Sequence, residues 1–364
     1  MGSTYQIPAT MRAAQYHASD NQVHVNTVPV PTPNPYELLV KTLCCSLCRS
    51  DLMNFESDEV GIKPKGDNVP PITMGHEATG IVVAVGTECS SGNSPFKVGD
   101  AVGFLPSANV CFDCEGCQTH PMWCTTYEGG CKNPGHSTDG FFQEYIAIHH
   151  RNALVLPEGL SAVDAAPLFC AGVTSYHGIA DLPFDEPKGK WLAIIGCGGL
   201  GHLGVQYAKA KGYFVIGLDI NDTQLEEATC CGADHVFNTK TNPDYVKTIK
   251  ELSGGGCHGV VNYTSSKASY DAAPDVLRVN GVLMVVGHTQ ERLTFFTIDV
   301  ALGKYRIMGA SNSISRNLEE CISFSHKHGV KSHTTYYRSL DNIHEMIQLL
   351  TEGKVNGRLA IRFD

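Results

Sequence analysis

Four cysteines stand close together, with the spacing Cys111-x2-Cys114-x2-Cys117-x6-Cys124. Thiolates of this number and spacing can close a tetrahedral zinc site without an open coordination position, and such a site is structural. The chain has 15 cysteines, which in a reduced compartment indicate thiols, metal ligands or catalysis instead of a disulfide framework. The six-residue last gap leaves Cys131 open as an alternative fourth ligand.

A glycine-rich turn follows the strand-like segment WLAIIG and precedes the helix-like segment HLGVQYAKAKG. The turn fits G-x-G-x-x-G, and this context of strand, turn and helix is the one in which the motif binds a dinucleotide. The first glycine makes the tight turn, the second admits the pyrophosphate, and the third lets helix and strand pack closely. The helix N-terminus offers free N–H groups to the phosphates. The predicted cofactor-binding residues in this turn are Gly196, Gly198, Gly199, Leu200 and Gly201.

Asp219 ends the next strand-like segment, YFVIGLD, at the spacing of about 20 residues that the motif requires. A carboxylate at this position accepts hydrogen bonds from the ribose hydroxyls and repels a 2′-phosphate. No Arg follows it closely. The sequence therefore predicts NAD in preference to NADP.

Three further segments carry metal-ligand residue types but lie far apart in the sequence. They contain Cys48 in LCRSD, His76 in GHE and Cys170 in LFCAGVT. Two Cys and one His, with water in the fourth position, form a known type of catalytic zinc site. Spacing alone does not bring these residues together, and each by itself is better explained as a buried Cys or a hydrogen-bonded His.

Five motifs follow one another along the chain: LCRSD at 47–51, GHE at 75–77, the four-cysteine lobe, CAGVTSY at 170–176 and GCGGLG at 196–201. In this order they resemble the zinc-dependent alcohol dehydrogenases of the medium-chain dehydrogenase/reductase superfamily. No single motif is specific, but the combination is. The resemblance implies reversible oxidation of an alcohol to an aldehyde or ketone by hydride transfer to NAD.

The resemblance also implies roles for individual residues. Cys48, His76 and Cys170 would hold the catalytic zinc, and Glu77 would be able to reach the metal from behind. Asp51 would accept a hydrogen bond from the second ring nitrogen of His76, which fixes the tautomer. Zinc would act as a Lewis acid on the substrate oxygen, and the nicotinamide would carry the hydride.

Ser50 is implied to relay the alcohol proton toward the nicotinamide ribose. Arg49 and Arg358 match family positions that contact the cofactor pyrophosphate. One departure concerns the relay, because many members carry His two residues after the Asp, where this chain has Met53. Methionine cannot carry a proton, so we expect another group or water to complete the relay, or proton delivery to be slower.

The elements that must position these residues form two predicted domains. Val-rich runs separated by Gly, Pro and Asn predict a β-rich domain over 1–164, which the resemblance identifies as a GroES-like catalytic domain completed by 311–364. Over 165–310, strands alternate with short helices and predict a Rossmann doubly wound parallel sheet. Two of the predicted helices cover 161–180 and 268–281. The predicted fold class is therefore α/β.

Composition excludes several classes of protein. The chain has 364 residues, of which 42% are hydrophobic and 18% charged, as in globular proteins. A net charge of −10 without a basic run argues against a nucleic-acid partner. No stretch approaches the roughly 18 apolar residues of a membrane span, and the N-terminal segment lacks a signal-peptide centre. We expect a small alcohol or carbonyl substrate, a cytoplasmic location and, by resemblance, a homo-oligomer (a dimer or tetramer).

Two alternative functions stay open at this point. The first is an NAD(P)H-dependent reductase of a conjugated enal or biosynthetic carbonyl intermediate in the same superfamily, which the altered relay at Met53 allows. The second is a non-catalytic nucleotide-binding relative, which predicts the loss of a zinc ligand or relay residue. Cys48, His76, Cys170 and Ser50 are all present, which disfavours this second alternative.

Overall fold

The structure is a computed structural model that describes residues 5–56, 69–90, 96–128, 130–312 and 315–363. The chain forms two units. The first comprises Met1–Cys170, Ile314–His326 and His333–Asp364, and the second comprises Ala171–Ser313 and Lys327–Ser332. The second unit is thus inserted into the sequence of the first.

The first unit is rich in strands, which Pro, Gly and Asn turns separate from one another. Its first strands are β1 Thr10–His17, β2 Gln22–Pro29, β3 Glu37–Leu47, β4 Ile72–Thr73, β5 Glu77–Val85, β6 Ala101–Phe104, β7 Tyr145–His149 and β8 Ala153–Val155. Its short α-helices here are α1 Thr87–Ser90, α2 Glu115–Thr119 and α3 Ala162–Ala165. The 3-10 helices are Arg49–Phe55, Pro121–Trp123, His150–Asn152 and Ala166–Phe169.

Strand β3 is the central strand of the larger sheet in this unit. It pairs antiparallel with β5 and β7, and β5 continues through β6 to β8. The side chains of one face enter a common core that includes Leu38, Val40, Val82, Val102 and Phe104. Strand β1 pairs with β2 and β4 in a separate three-stranded sheet. Strand β3 ends at Leu47, directly before Cys48.

The second unit contains a parallel sheet with helices between its strands. The strands are β9 Trp191–Ile195, β10 Phe214–Asp219, β11 His235–Asn238, β12 Cys257–Asn262, β13 Leu277–Val285 and β14 Tyr305–Gly309. The helices are α4 Ala171–Ala180, α5 Gly201–Lys211, α6 Asp222–Cys230, α7 Tyr245–Ser253, α8 Lys267–Ala272 and α9 Thr297–Ala301, with the 3-10 helix Ala273–Val276.

The strand order in this sheet is β11-β10-β9-β12-β13-β14, and all pairings are parallel. This is the dinucleotide-binding order 3-2-1-4-5-6, in which ligands bind at the carboxyl ends of the strands where the order reverses. Here the reversal lies between β9 and β12. The predicted doubly wound parallel sheet is confirmed.

The last part of the chain contributes α10 Ser315–His328, β15 Thr334–Tyr337, the 3-10 helix Leu340–Asn342, α11 Ile343–Thr351 and β16 Arg358–Arg362. Strand β16 pairs antiparallel with β3, with Leu359 opposite Leu47. This register brings Arg358, the first residue of β16, next to the end of β3. The sheet of the first unit therefore assembles residues that are about 300 positions apart in sequence, since β3 pairs directly with β16.

Two helix predictions need correction. The segment 161–180 is not one helix, because Pro167 lacks an N–H group and Cys170 leaves the helical region with φ −137° and ψ −66°. The segment 268–281 is helical only to Val276, and β13 begins at Leu277. Helix α7 was missed altogether. Among the described residues, no helix combines the length and apolar character that a membrane crossing requires.

Candidate active site and metal centres

The end of strand β3 leads into the first group of candidate site residues. Cys48 follows the strand and is the N-cap residue of the 3-10 helix Arg49–Phe55. Oδ2 of Asp51 accepts a hydrogen bond from the backbone N–H of Cys48 at 2.8 Å. Asp51 is fully buried, so this bond folds the first helical turn back onto the strand end.

His76 lies directly before strand β5, after a glycine that the turn requires. Gly75 has φ +95°, and a Cβ at this position would lie 2.6 Å from the ring of Phe142. Nδ1 of His76 lies 2.7 Å from Oδ1 of Asp51. Because an ionised carboxylate only accepts hydrogen bonds, Nδ1 donates, and Nε2 keeps a lone pair for a metal ion.

The fold brings four distant ligand residues together. The ligand atoms of Cys48, His76, Glu77 and Cys170 all lie within 4.8 Å of one another. Cys170 reaches this group because the chain breaks its helical course at this residue, between Phe169 and helix α4. Two thiols and one imidazole are a donor set suited to zinc, which is a borderline-soft ion.

Two neighbours donate hydrogen bonds to the carboxyl group of Glu77. The hydroxyl of Ser46 donates to Oε2 of Glu77 at 2.6 Å, and Nη2 of Arg358 donates to Oε1. The same guanidinium nitrogen lies 3.4 Å from the sulfur of Cys48. Burial raises the pKa of Glu77 to about 8, although the charge of Arg358 acts in the opposite direction. Arg358 thus contacts both Cys48 and Glu77. Its predicted contact with the cofactor pyrophosphate stays a prediction.

A hydrogen bond links the two site cysteines. The thiol of Cys170 donates to Cys48, which holds the pKa of Cys48 well below its usual range and raises the pKa of Cys170 well above it. Burial opposes a charged ring at His76, but Asp51 and Cys48 outweigh it and raise the pKa of His76. Metal binding at these residues would therefore release protons.

The remaining predicted residues of this segment differ in exposure. The hydroxyl oxygen of Ser50 lies 3.2 Å from the sulfur of Cys48 and 3.2 Å from Nε2 of His76. Arg49 is exposed and forms an ion pair with Glu56 at 2.9 Å. Ser50 therefore touches two ligand atoms of the candidate site, whereas the predicted cofactor contact of Arg49 stays a prediction.

The second candidate metal centre is the four-cysteine lobe. The sulfurs of Cys111, Cys114, Cys117 and Cys124 lie within 4.8 Å of one another. Backbone N–H groups of the first three donate to sulfurs within the group, each at 3.4 Å. Cys131 is outside this group, and its thiol donates to the carbonyl of Lys132. The geometry therefore favours Cys124 over Cys131 as the fourth ligand.

One contact changes the chemistry of a thiol in the lobe. The hydroxyl of Thr126 donates to the sulfur of Cys111 at 3.1 Å. This bond, with backbone N–H donors, lowers the pKa of Cys111 to about 6. Arg151 holds the lobe from outside, because it donates to the carbonyl of Cys111 and pairs with both carboxylate oxygens of Asp113. Four cysteine sulfurs grouped in this way fit a zinc ion.

The glycine-rich turn lies between β9 and α5 in the second unit. Gly196 has φ +82°, and a Cβ on Gly201 would lie 1.8 Å from the carbonyl oxygen of Gly196. The protein itself therefore requires these two glycines. At Gly198, by contrast, the nearest protein atom to a Cβ would be 3.7 Å away, so this glycine leaves room for a ligand. Gly199 and Leu200 complete the turn before the helix begins.

Asp219 stands at the end of β10 and stabilises the same turn. Its Oδ2 accepts a hydrogen bond from the backbone N–H of Cys197 at 2.8 Å. Its Oδ1 accepts from the N–H groups of Ile220 and Asn221. The carboxylate is thus fixed beside the glycine-rich turn, where a nucleotide ribose binds in folds of this order.

Comparisons with known proteins agree with this geometry. The model of the alcohol dehydrogenase GroES-like domain matches residues 34–158, and the model of zinc-binding dehydrogenases matches 199–327. An alcohol dehydrogenase of Geobacillus stearothermophilus is 34% identical over 97% of this chain and 100% of its own length. One from Moraxella sp. is 32% identical over 97% and 99%. The chain belongs to the zinc-type medium-chain dehydrogenase/reductase family.

Solved structures support the same family assignment. The alcohol dehydrogenase of Aeropyrum pernix has a TM-score of 0.84 and 29% identity, covering 96% of this chain and 99% of its own. An acetophenone reductase from Geotrichum candidum, solved with NAD, has a TM-score of 0.81 and 25% identity, covering 98% of each chain. The predicted fold class and the prediction of an alcohol dehydrogenase-type oxidoreductase are confirmed. As a zinc-type dehydrogenase, the protein uses zinc and a nicotinamide cofactor.

Sequence reasoning missed two histidines of this zinc-type dehydrogenase. His202 is buried in the first turn of α5, and its Nδ1 lies 2.9 Å from the carbonyl oxygen of Gly198. His136 is buried near Asp51 and His76, and the ligand atoms of these three residues lie within 4.8 Å of one another. Gly-His pairs occur at 75–76, 135–136, 201–202 and 287–288, so this pattern alone does not single out His136.

Proposed function

We propose that this enzyme catalyses the reversible oxidation of an alcohol to an aldehyde or ketone with NAD as its cofactor. Cys48, His76 and Cys170 would hold a catalytic zinc ion, and the four cysteines of the lobe would hold a structural one. The observation that carries this proposal is the convergence of three soft ligands from distant segments beside a serine hydroxyl. The structural lobe closes its coordination shell, whereas three protein ligands leave a position for a substrate.

The residues around the catalytic ligands have separate roles in ligand orientation and in proton transfer. Bound zinc would supply Lewis acidity toward the alcohol oxygen, and bound NAD would accept the hydride. Asp51 holds the proton on Nδ1 of His76 and so keeps Nε2 available as a ligand. Ser50 would accept the alcohol proton and release its own hydroxyl proton to the relay, a role supported by its position 3.2 Å from two ligand atoms. Met53 cannot continue this relay, so water or another group takes the proton onward.

The charge around Asp219 supports NAD instead of NADP. The carboxylate is followed by Ile220, Asn221 and Asp222, so no cation in this turn offsets the charge of a 2′-phosphate. We expect Asp219→Ala to raise the KM for NAD and to reduce the preference over NADP. Steady-state kinetics of wild type and Asp219→Ala, each with NAD and with NADP, tests this. A wild-type enzyme that favours NADP would contradict it.

An exposed apolar surface supports the proposal of a homo-oligomer. Within the described residues, β14 pairs on one side only, with β13. Phe296 and Leu302 beside it are 78% and 80% exposed, and Val279 is 79% exposed. An open edge strand with apolar neighbours favours pairing with another chain. Light scattering on wild type and Leu302→Asp tests this, and the cytoplasmic location stays a prediction.

The reductase alternative has one supporting observation besides Met53. The acetophenone reductase of Geotrichum candidum, whose name states a carbonyl substrate, shares the fold at 25% identity. Turnover of saturated primary and secondary alcohols, compared with reduction of conjugated enals using NADH and NADPH, separates the two functions. Faster reduction of enals than oxidation of every alcohol would favour the alternative.

The deciding experiment counts zinc ions in wild type and Cys48→Ala and measures turnover of an alcohol panel with NAD. We expect two zinc ions per chain in wild type, from the three-ligand and four-ligand sites, and one in the variant, with activity lost. One zinc ion in wild type, unchanged by the substitution, would mean that the three-ligand site holds no metal. The proposed mechanism would then be wrong.

A further inference from the structure

Two Gly-His turns pack against each other in the first unit. In each, a glycine with positive φ precedes the histidine: Gly75 has φ +95° and Gly135 has φ +88°. A Cβ on Gly135 would lie 2.7 Å from the carbonyl oxygen of Gly75, so the two backbones are in contact. His76 is a ligand of the proposed three-ligand zinc site, whereas His136 lies outside that ligand set. The second turn therefore places an imidazole beside the site without a role in the proposed reaction.

One 3-10 helix holds both histidines. Residues i and i+3 lie on the same face of a 3-10 helix, and Asp51 and Asn54 have this spacing in the helix Arg49–Phe55. Asp51 accepts from Nδ1 of His76 at 2.7 Å. Oδ1 of Asn54 lies 3.0 Å from Nδ1 of His136. A single helix face thus binds the two rings in the same way.

The amide of Asn54 determines which partner donates in its hydrogen bond with His136. Its Nδ2 donates to the carbonyl oxygen of Gly135 at 2.7 Å, which leaves Oδ1 as the acceptor from His136. The backbone N–H of His136 also donates to the carbonyl of Asn133 at 3.0 Å. Both Asn54 and His136 are at least nine-tenths buried. The ring of His136 is therefore fixed by its own loop and by the helix.

The fixed ring lies directly against the pair that would orient the metal ligand. The ring centroids of His136 and His76 are 5.8 Å apart, at an interplanar angle of 37°. Ligand atoms of His136, His76 and Asp51 lie within 4.8 Å of one another. Removal of the His136 ring would leave a buried cavity into which Asp51 or His76 could turn.

We propose that His136 is a positioning residue of the catalytic metal site, in which Asn54 fixes its ring against Asp51 and His76 so that Nε2 of His76 stays directed at the metal position. This role rests on the proposed function, because it assumes that His76 is a ligand. Partners behind a metal-bound histidine usually contribute 10–100-fold to metal affinity or activity. His136 does not touch the substrate in this proposal and acts only through its neighbours.

Metal affinity and a cobalt spectrum test this role without use of activity. Zinc affinity of the three-ligand site is measured on the full chain by competition with a chromophoric chelator, and Co²⁺ replaces zinc to report ligand geometry. We expect His136→Ala to weaken zinc binding about 10–100-fold and to shift the cobalt bands. His136→Gln, which still offers an amide donor to Asn54, should recover most of the affinity. His177→Ala, a buried histidine of the second unit, is the control and should leave the affinity unchanged.

A second substitution tests whether the loss of zinc affinity in His136→Ala comes from the lost contact or from misfolding of that variant. Asn54→Leu should weaken zinc binding in the same direction, and the double variant with His136→Ala should be no weaker than His136→Ala alone. Wild-type affinity and an unshifted spectrum in both single variants would overturn the proposal, as would a wild-type chain that holds only the lobe metal. If the variants lose affinity while wild type oxidises no alcohol, the positioning role stands and the proposed function fails.

Discussion

The two candidate metal centres of the first unit are built in opposite ways. The lobe takes all four cysteines from residues 111–124, and their own backbone N–H groups donate to the sulfurs. The other centre takes Cys48, His76 and Cys170 from three separate segments. Around it stand buried charged groups, whereas the lobe thiols are hydrogen-bonded mainly by backbone and by one threonine.

This difference separates what each centre depends on. The lobe needs only a short, correctly spaced segment, so its metal should determine local stability and have little influence elsewhere. The dispersed centre needs strand β3, the turn before β5 and the break at Cys170 to be in register. Its ligands are positioned by the whole fold of the first unit, and its buried charges are costly unless they are paired.

The largest expected effect concerns the lobe. Cys124→Ser should remove one zinc ion per chain and unfold the lobe locally, because zinc bound to such a site contributes about 10–16 kcal/mol of apparent binding free energy to folding. Metal analysis and hydrogen exchange over 111–124 measure this. Cys131→Ser is the matched control, since its thiol is outside the sulfur group. Zinc loss in the control and retention in Cys124→Ser would reverse the assignment.

The second-largest effect is expected at the dispersed centre, when a buried countercharge is removed. Arg358→Met removes the guanidinium that pairs with the fully buried Glu77, and breaking a buried ion pair from one side costs about 3–5 kcal/mol. Urea unfolding of the first unit measures the loss. The double variant Glu77→Gln/Arg358→Met should recover part of it. Equal destabilisation in the single and double variants would show that the pair itself is not the source.

A smaller effect is expected from the carboxylate behind His76. Asp51→Asn keeps the size of the side chain but removes the negative charge that holds the proton on Nδ1 of His76. We expect zinc affinity at this centre to fall 10–100-fold, which corresponds to about 1.4–2.7 kcal/mol. Chelator competition followed by metal analysis measures it. The lobe should keep its zinc, and loss of both ions together would contradict the independence of the two centres.

The contrast between a local and a dispersed centre also explains which site residues could be predicted from the sequence. The four cysteines and the glycine-rich turn lie within short segments, so spacing and predicted context were enough to recognise them. Cys48, His76 and Cys170 needed a family resemblance, because spacing carries no information on contacts between distant strands. The sheet register places Arg358 against Glu77, a pairing that no local pattern indicates.

Errors in the fold prediction have local causes. Helical periodicity continued through Pro167 and Cys170, but the missing N–H group of the proline and the turned backbone of Cys170 break the helix there. That break brings the thiol of Cys170 to the other candidate ligands. His136 was missed because a buried histidine is usually structural, and only its contact with Asp51 and His76 distinguishes it.

The smallest expected effect returns to the lobe and concerns pH. Burial, with the charges of His150 and Arg151, lowers the pKa of His149 to about 4. Its Nδ1 accepts from the backbone N–H of Arg151, and its ring contacts Phe112 of the lobe with centroids 5.1 Å apart. Protonation would break this hydrogen bond and place a cation beside Arg151.

The sign of the pH effect follows from the lowered pKa. An unfolded histidine titrates near pH 6.5, so between about pH 6.5 and 4 the unfolded chain binds a proton that the folded chain does not. Stability contributed by neutral His149 is therefore present above pH 6.5 and is lost as the pH falls toward 4. His149→Asn accepts the same N–H in an Asx-turn but does not titrate, so its stability should fall less over this range. Because the ring is half-exposed, we expect a difference below about 1 kcal/mol. Urea unfolding of both zinc-loaded proteins at pH 7 and 5 measures it, and identical pH dependence would show that His149 does not link acidity to the lobe.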